Sequence, residues 1–294
     1  MVDEVKKNKK FSDLPKRSLS AIIYGTLWLA AIYFGGWLLT LVTYLFFSLA
    51  AYELIKLINT DSKEKKLFTI TTTIAGILLI IFQLLIYLKF KDFSFFNIAI
   101  NNFSTISSFI VLLIVPFFIF LLLETIYLLF YSKISINNFF KFLSFLFFWI
   151  IIPIISVQFL NTFNHLLITV VCIWVFDTMA YVMGVLLGKH TLAKNISPKK
   201  TIEGVIYGAI LTYVIFIIYF SFIEKRTDLY WIVAIIPFLA TMGDLLESKL
   251  KREIGVKDSG NILPGHGGML DRLDSILFTV PFVTFLNLLI ILFL

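Results

Sequence analysis

The sequence predicts an all-α integral membrane protein, a polytopic bundle of about nine transmembrane helices. Three observations carry this. First, 60% of the 294 residues are hydrophobic and 15% are charged, where a soluble domain holds about 45–50% apolar and about 25% charged residues. Second, the apolar residues fall into runs close to the roughly 20 residues that cross a bilayer as a helix. Third, 21 of the 25 Lys and Arg residues fall in alternate connections between those runs, the asymmetry expected when basic loops stay on the cytoplasmic side.

Taken in order, the charged segment 1–17 precedes an apolar stretch that continues to Ile58 without a small-residue cleavage site, so it reads as a retained first helix. Spans are expected at 19–34 and 37–58, with a turn at Gly35-Gly36, and then at 67–88. The Asn- and Ser-containing stretch 89–108 reads as an irregular loop. Further spans follow at 109–131, 140–160, 166–188, 204–223, 230–247 and 273–294. Trp28, Trp37 and Tyr230-Trp231 sit near span ends, as interfacial anchors do, and the Lys63–Lys66 cluster reads as a topology loop. Two regions result: 1–165 with about five spans, and 166–294 with about four spans and the polar connections expected to carry the chemistry. The expected setting is multi-pass in the cell inner (cytoplasmic) membrane, with the N-terminus and the loops 189–203 and 248–272 cytoplasmic.

Composition also excludes functions. The net charge of +7 resides in short loops between spans, which argues for topology and against a nucleic-acid partner, while leaving a surface that attracts anionic lipid or nucleotide phosphates. Cys172, the single cysteine, forms no intrachain disulfide and no thiolate zinc site, and it reads as a packing residue.

Three segments carry chemistry. Asp177 lies midway along an apolar run, where a carboxylate is costly and marks function. It shares a helical stripe with Tyr181, Gly184 and Gly188, and the two glycines would admit a close helix neighbour, in this chain or in a homodimer. Next, Ser197-Pro198-Lys199-Lys200-Thr201-Ile202-Glu203-Gly204 combines two lysines and two hydroxyls before a span, a phosphate-binding composition when it opens a helix. The third is the most specific. Asp244, Glu247, Ser248 and Lys251 share one helical face, followed by Arg252, Lys257-Asp258 and the loop Pro264-Gly265-His266-Gly267-Gly268. It closes on Asp271-Arg272-Leu273-Asp274. Asp244, Glu247, Asp271 and Asp274 are hard oxygen donors of the kind Mg²⁺ prefers, with room for a second cation. Lys199, Lys200, Lys251, Arg252, Lys257 and Arg272 are phosphate-clamping cations. Gly267 and Gly268 let backbone approach a ligand, and His266 reads as a phosphate contact or a structural loop residue. Together these suit phosphoryl or nucleotidyl transfer. A transporter or channel stays open on the strength of the intramembrane Asp, although the polar residues gather at one membrane face and not in paired broken helices. A kinase of polyprenol or another lipid alcohol stays open as well.

The pattern Ser248-Lys249-Leu250-Lys251-Arg252, Lys257-Asp258, Pro264-Gly265-His266-Gly267-Gly268 and Asp271-Arg272-Leu273-Asp274 resembles the phosphatidate cytidylyltransferases, or CDP-diacylglycerol synthases. Two shorter segments, Asp177-Thr178 with Ala180-Tyr181 and Gly184, and Ser197–Gly204, resemble the same family. Met179 and Val185 depart from it, standing where the family often has Gly and a basic residue. The resemblance covers about residues 170–280. It implies CTP and phosphatidate as substrates, CDP-diacylglycerol and diphosphate as products, and Mg²⁺ as cofactor. It further implies Asp244 and Asp271 on the metal, with Asp177 and Asp274 in or beside its shell, and Lys251 and Arg272 at the reacting phosphates. Ser197, Lys199, Lys200, Thr201, Glu203, Ser248, Arg252, Lys257, His266, Gly267 and Gly268 would bind substrate.

Overall fold

A computed structural model describes residues 14–57, 150, 152–162, 164–225, 229–263 and 267–293. Its helices are α1 (Leu14–Phe34), α2 (Gly36–Leu57), α3 (Ile152–Thr162) and α4 (Leu166–Leu187). After α4 come two short strands, β1 (Thr191–Ala193) and β2 (Ser197–Thr201), and then α5 (Ile202–Tyr219), which ends in a π-helical turn, Phe220–Glu224. The last two helices are α6 (Tyr230–Ile254) and α7 (Leu270–Phe293).

Among the described residues, five helices are long and apolar enough to cross a membrane: α2, α4, α5 with its π turn, α6 and α7. Ser20–Phe34 and Ile152–Asn161 are shorter apolar helices. The all-α membrane class therefore stands, with five of the expected spans found among the described residues. The expected spans 67–88 and 109–131, the loop 89–108 and the Lys63–Lys66 cluster lie outside the described residues. The chain divides into two compact units, Met1–Asn59 with Ile134–Thr284, and Thr60–Lys133 with Phe285–Leu294. The first contains every residue of the site below. In the second, the described residues are the end of α7.

Two details depart from expectation. The connection after α4 is an antiparallel hairpin, with Thr191 opposite Thr201 and Ala193 opposite Ser197, so the chain is not wholly helical. In addition, α6 runs on to Ile254 instead of stopping near 247. At this end of the helix Glu247, Ser248 and Lys251 are buried while Arg252 and Glu253 are exposed, and the partners of the buried ones within the protein let the helix continue past the apolar run.

Packing follows from side-chain size. Tyr24 and Trp28 of α1 stack on Phe46 of α2 with ring centroids 5.1 and 5.7 Å apart, and Trp28 is fully buried. Cys172 is buried and free, as a packing residue should be. In α5 the buried residues Gly204, Gly208, Thr212 and Phe216 form one stripe at four-residue spacing. Ile206, Ile210, Val214 and Ile218 are exposed on its other faces, a surface suited to lipid. The stripe meets α4. A Cβ on Gly208 would stand 2.7 Å from the Ala180 backbone, and one on Gly204 2.9 Å from Gly184 Cα. The glycine stripe of α4 is thus used within the chain, in the close small-residue contact that joins membrane helices.

Candidate active site

A cavity of about 960 Å³ lies among α1, α4, β2, α6 and α7. Tyr24 of α1 lines it, as do Asp177 and Tyr181 of α4, Lys199, Lys200 and Thr201 of β2, Asp244 of α6, and Asp271, Arg272 and Asp274 of α7. Apart from Tyr24, all of these were singled out in the sequence, and they face one space although they come from segments nearly a hundred positions apart.

Local structure explains how each arrives there. Thr201 is the N-cap of α5, in extended conformation, and its Oγ1 accepts the Gly204 N–H at 3.1 Å. The hairpin before it carries Lys199 and Lys200 to the cavity edge. Lys200 Nζ pairs with Asp244 Oδ2 across from α6. Ser248 Oγ donates to the other oxygen, Asp244 Oδ1, at 3.1 Å. Gly243 lets α7 come close, since a Cβ there would meet Asp274 O and Phe278 Cβ at 2.8 Å. That approach sets Asp244 near Asp274, which interacts electrostatically with Asp244, Asp177 and Lys200. Lys199 has no ion-pair partner among the described residues and is exposed.

Other expected site residues stand behind the cavity wall. Lys251 Nζ donates to Asp271 Oδ1 at 2.6 Å and pairs with Glu247 Oε2 at 2.5 Å, so one ammonium serves two carboxylates. Asp271 also accepts the Ser259 N–H on both oxygens, at 3.1 and 3.0 Å, and the Gly268 N–H on Oδ2 at 2.8 Å. Gly267 has φ of +82°, and a Cβ on it would lie 2.6 Å from Asp271 Oδ2, so glycine is required there on two counts. Arg252 Nε donates to Ile196 O at 3.2 Å and Nη1 to Val256 O at 3.0 Å, tying the hairpin turn to the loop after α6. Glu203 accepts the Lys189 and His190 N–H groups at 3.0 and 3.1 Å and meets His190 Nδ1 at 2.5 Å. It braces the hairpin against the start of α5. Ser197 lies in β2, Lys257 is exposed in the loop, and His266 lies outside the described residues.

The sequence reading missed two contributions. Tyr24 closes one side of the cavity, and Glu53 of α2 is buried against the loop between α6 and α7. An acid near the end of an apolar run was the available signal for Glu53. Nothing local marked Tyr24.

Asp177, Asp244 and Asp274 are hard oxygen donors facing one space, with Lys200 as the cation that interacts with all three. Donors of that type fit a hard divalent cation. Among the described residues, no three His, Cys, Asp or Glu side chains are gathered into a ready ligand cluster. Both oxygens of Asp271 already accept hydrogen bonds.

The helices and this mixed-charge cavity define the class: a helical membrane protein whose polar site is built at the junction of α6 and α7 with the hairpin. Within that class, the chain belongs to the cytidylyltransferase family, which matches residues 15–290. It is similar to phosphatidate cytidylyltransferases of Staphylococcus saprophyticus, with 43% identity, and of Staphylococcus haemolyticus and Staphylococcus aureus, each with 42%. Each of these matches covers 127 residues, 42% of this chain and 48% of the relative. The chain thus spans about half the length of the curated relatives it matches.

Proposed function

We propose that this protein transfers the cytidylyl group of CTP to phosphatidate, releasing diphosphate and forming CDP-diacylglycerol. The observation that carries the reading is the single cavity in which Lys199, Lys200 and Arg272 stand beside Asp177, Asp244 and Asp274, within helices whose outer faces suit lipid. Family membership favours it over the transporter, channel and lipid-kinase readings.

The lipid phosphate oxygen attacks the α-phosphorus of CTP, the bond from that phosphorus to the β-bridging oxygen breaks, and diphosphate leaves. A phosphate monoester is itself a competent oxyanion, so no protein nucleophile is required. Lys199 and Arg272 bind phosphate oxygens at the cavity wall, and Lys200 does so when its pairing with Asp244 is exchanged for substrate. These cations offset charge that shifts onto the leaving diphosphate. Tyr24 borders the space around the reacting groups. Asp177, Asp244 and Asp274 would hold Mg²⁺, and Asp271 would join them by exchanging one of its present contacts. When bound, the metal supplies charge neutralisation at the phosphates and orients them.

The wider proposal keeps the finer expectations together: about nine spans, residues 166–294 as the catalytic region, and the loops 189–203 and 248–272 facing the cytoplasm from the inner membrane. Purified protein with CTP labelled at the α-phosphorus, phosphatidate and Mg²⁺ should place label in the lipid extract only when all components are present. Lipid label obtained solely from γ-labelled CTP would replace this reading with a kinase.

A further inference from the structure

We propose that Glu53 is a positioning residue: its carboxylate anchors the loop between α6 and α7 and the first turn of α7, and so sets where Asp271, Arg272 and Asp274 stand. Glu53 lies on α2 and is 1% exposed. An acid so deeply buried in an apolar helix is costly unless it is hydrogen-bonded; here Oε2 carries the bonds, and Oε1 is buried with no hydrogen-bond partner among the described residues. Oε2 accepts Ser259 Oγ at 3.0 Å and Leu270 N at 2.9 Å, partners 206 and 217 positions away in sequence. Leu270 is the first residue of α7, and its N–H is one that the helix's own carbonyls leave unsatisfied. A carboxylate at that end also complements the helix dipole. Glu53 therefore caps α7 from another helix.

The same loop is held from a second side. Ser259 donates its hydroxyl to Glu53 and its N–H to Asp271, so two carboxylates grip one residue. Two glycines make space for the arrangement. A Cβ on Gly260 would lie 2.4 Å from Glu53 Oε1, and one on Gly268 2.3 Å from Oε2. Glu53 does not line the cavity, so it acts through the loop and not on substrate.

The test uses full-length protein purified in detergent, with hydrogen exchange followed by peptide and turnover followed as kcat and KM for CTP. In Glu53→Ala, exchange in peptides covering 256–271 should rise about tenfold or more while α4 and α5 stay protected. The kcat should fall by about tenfold or more, with KM for CTP changing less. Glu53→Gln keeps an acceptor oxygen and should recover most of both. Adding Ser259→Ala to Glu53→Ala should cost little beyond Glu53→Ala alone, because the two residues share one contact. Loop exchange at the wild-type rate in Glu53→Ala would overturn the proposal, as would uniform loosening of all helices without recovery by Gln. Should Glu53→Ala not fold, Ser259→Ala decides: loop exchange should rise about threefold or more, and no rise would overturn it. The kcat arm rests on the cytidylyl-transfer reading. If the wild type transfers no label to lipid, that reading fails while the exchange arm still judges Glu53.

Discussion

Lys200 and Asp244 stand 44 positions apart and meet across the cavity. Each alone would be a charge near lipid; paired, they hold β2 against α6. Asp244→Asn preserves shape but removes the charge. Turnover should fall about 10²–10³-fold while the protein still inserts and folds, as measured by label transfer and size-exclusion behaviour in detergent; near-normal turnover would remove Asp244 from the chemistry. Lys251 answers to different physics. It pairs with Glu247, whose side chain is 0% exposed, and with Asp271, at 9%. Lys251→Ala would leave two buried carboxylates without their cation, at a cost of about 3–5 kcal/mol. A markedly lower melting temperature in detergent is expected, together with lost activity. Lost activity at unchanged stability would make Lys251 a substrate contact instead.

At the scale of elements, the α4–α5 pair shows how glycine spacing decides geometry. Gly204 and Gly208 on α5 meet Gly184 and Ala180 on α4 so closely that no side chain fits between. Gly208→Ala should force the helices apart and destabilise the protein by about 1–3 kcal/mol, and thermal unfolding in detergent would register it. Because α5 carries the hairpin at its N-terminus, the same change should also weaken CTP binding. The hairpin was hard to read in advance. Ser197-Pro198-Lys199-Lys200 has no β pattern, and its strand character comes from pairing with Thr191–Ala193 and from the Glu203 brace. The continuation of α6 past the apolar run was legible in the helical face shared by Asp244, Glu247, Ser248 and Lys251, whereas the pairing of Lys251 with Glu247 and Asp271 was not.

For the whole molecule, orientation is the property the basic loops predict. Single cysteines at the exposed positions Lys194 and Lys257 should react with an impermeant reagent only after the membrane is opened, and one at Glu224 should react in intact cells; Cys172 is buried and should stay silent. The opposite pattern would invert the orientation. By itself the sequence determined the membrane class, five of the spans among the described residues, and the polar residues of the site: Asp177, Lys199, Lys200, Asp244, Asp271, Arg272 and Asp274 all line the cavity. These were legible because a charge inside or beside an apolar run is expensive and therefore informative. Tertiary structure alone decided which of them share a space and which stand behind it. It turned Lys251, Arg252 and Glu203 into braces, brought Tyr24 to the cavity wall, and set Glu53 under a loop more than two hundred positions away. The physical reason is that a buried polar group is defined by its partner, and a partner from a distant helix leaves no trace in local spacing.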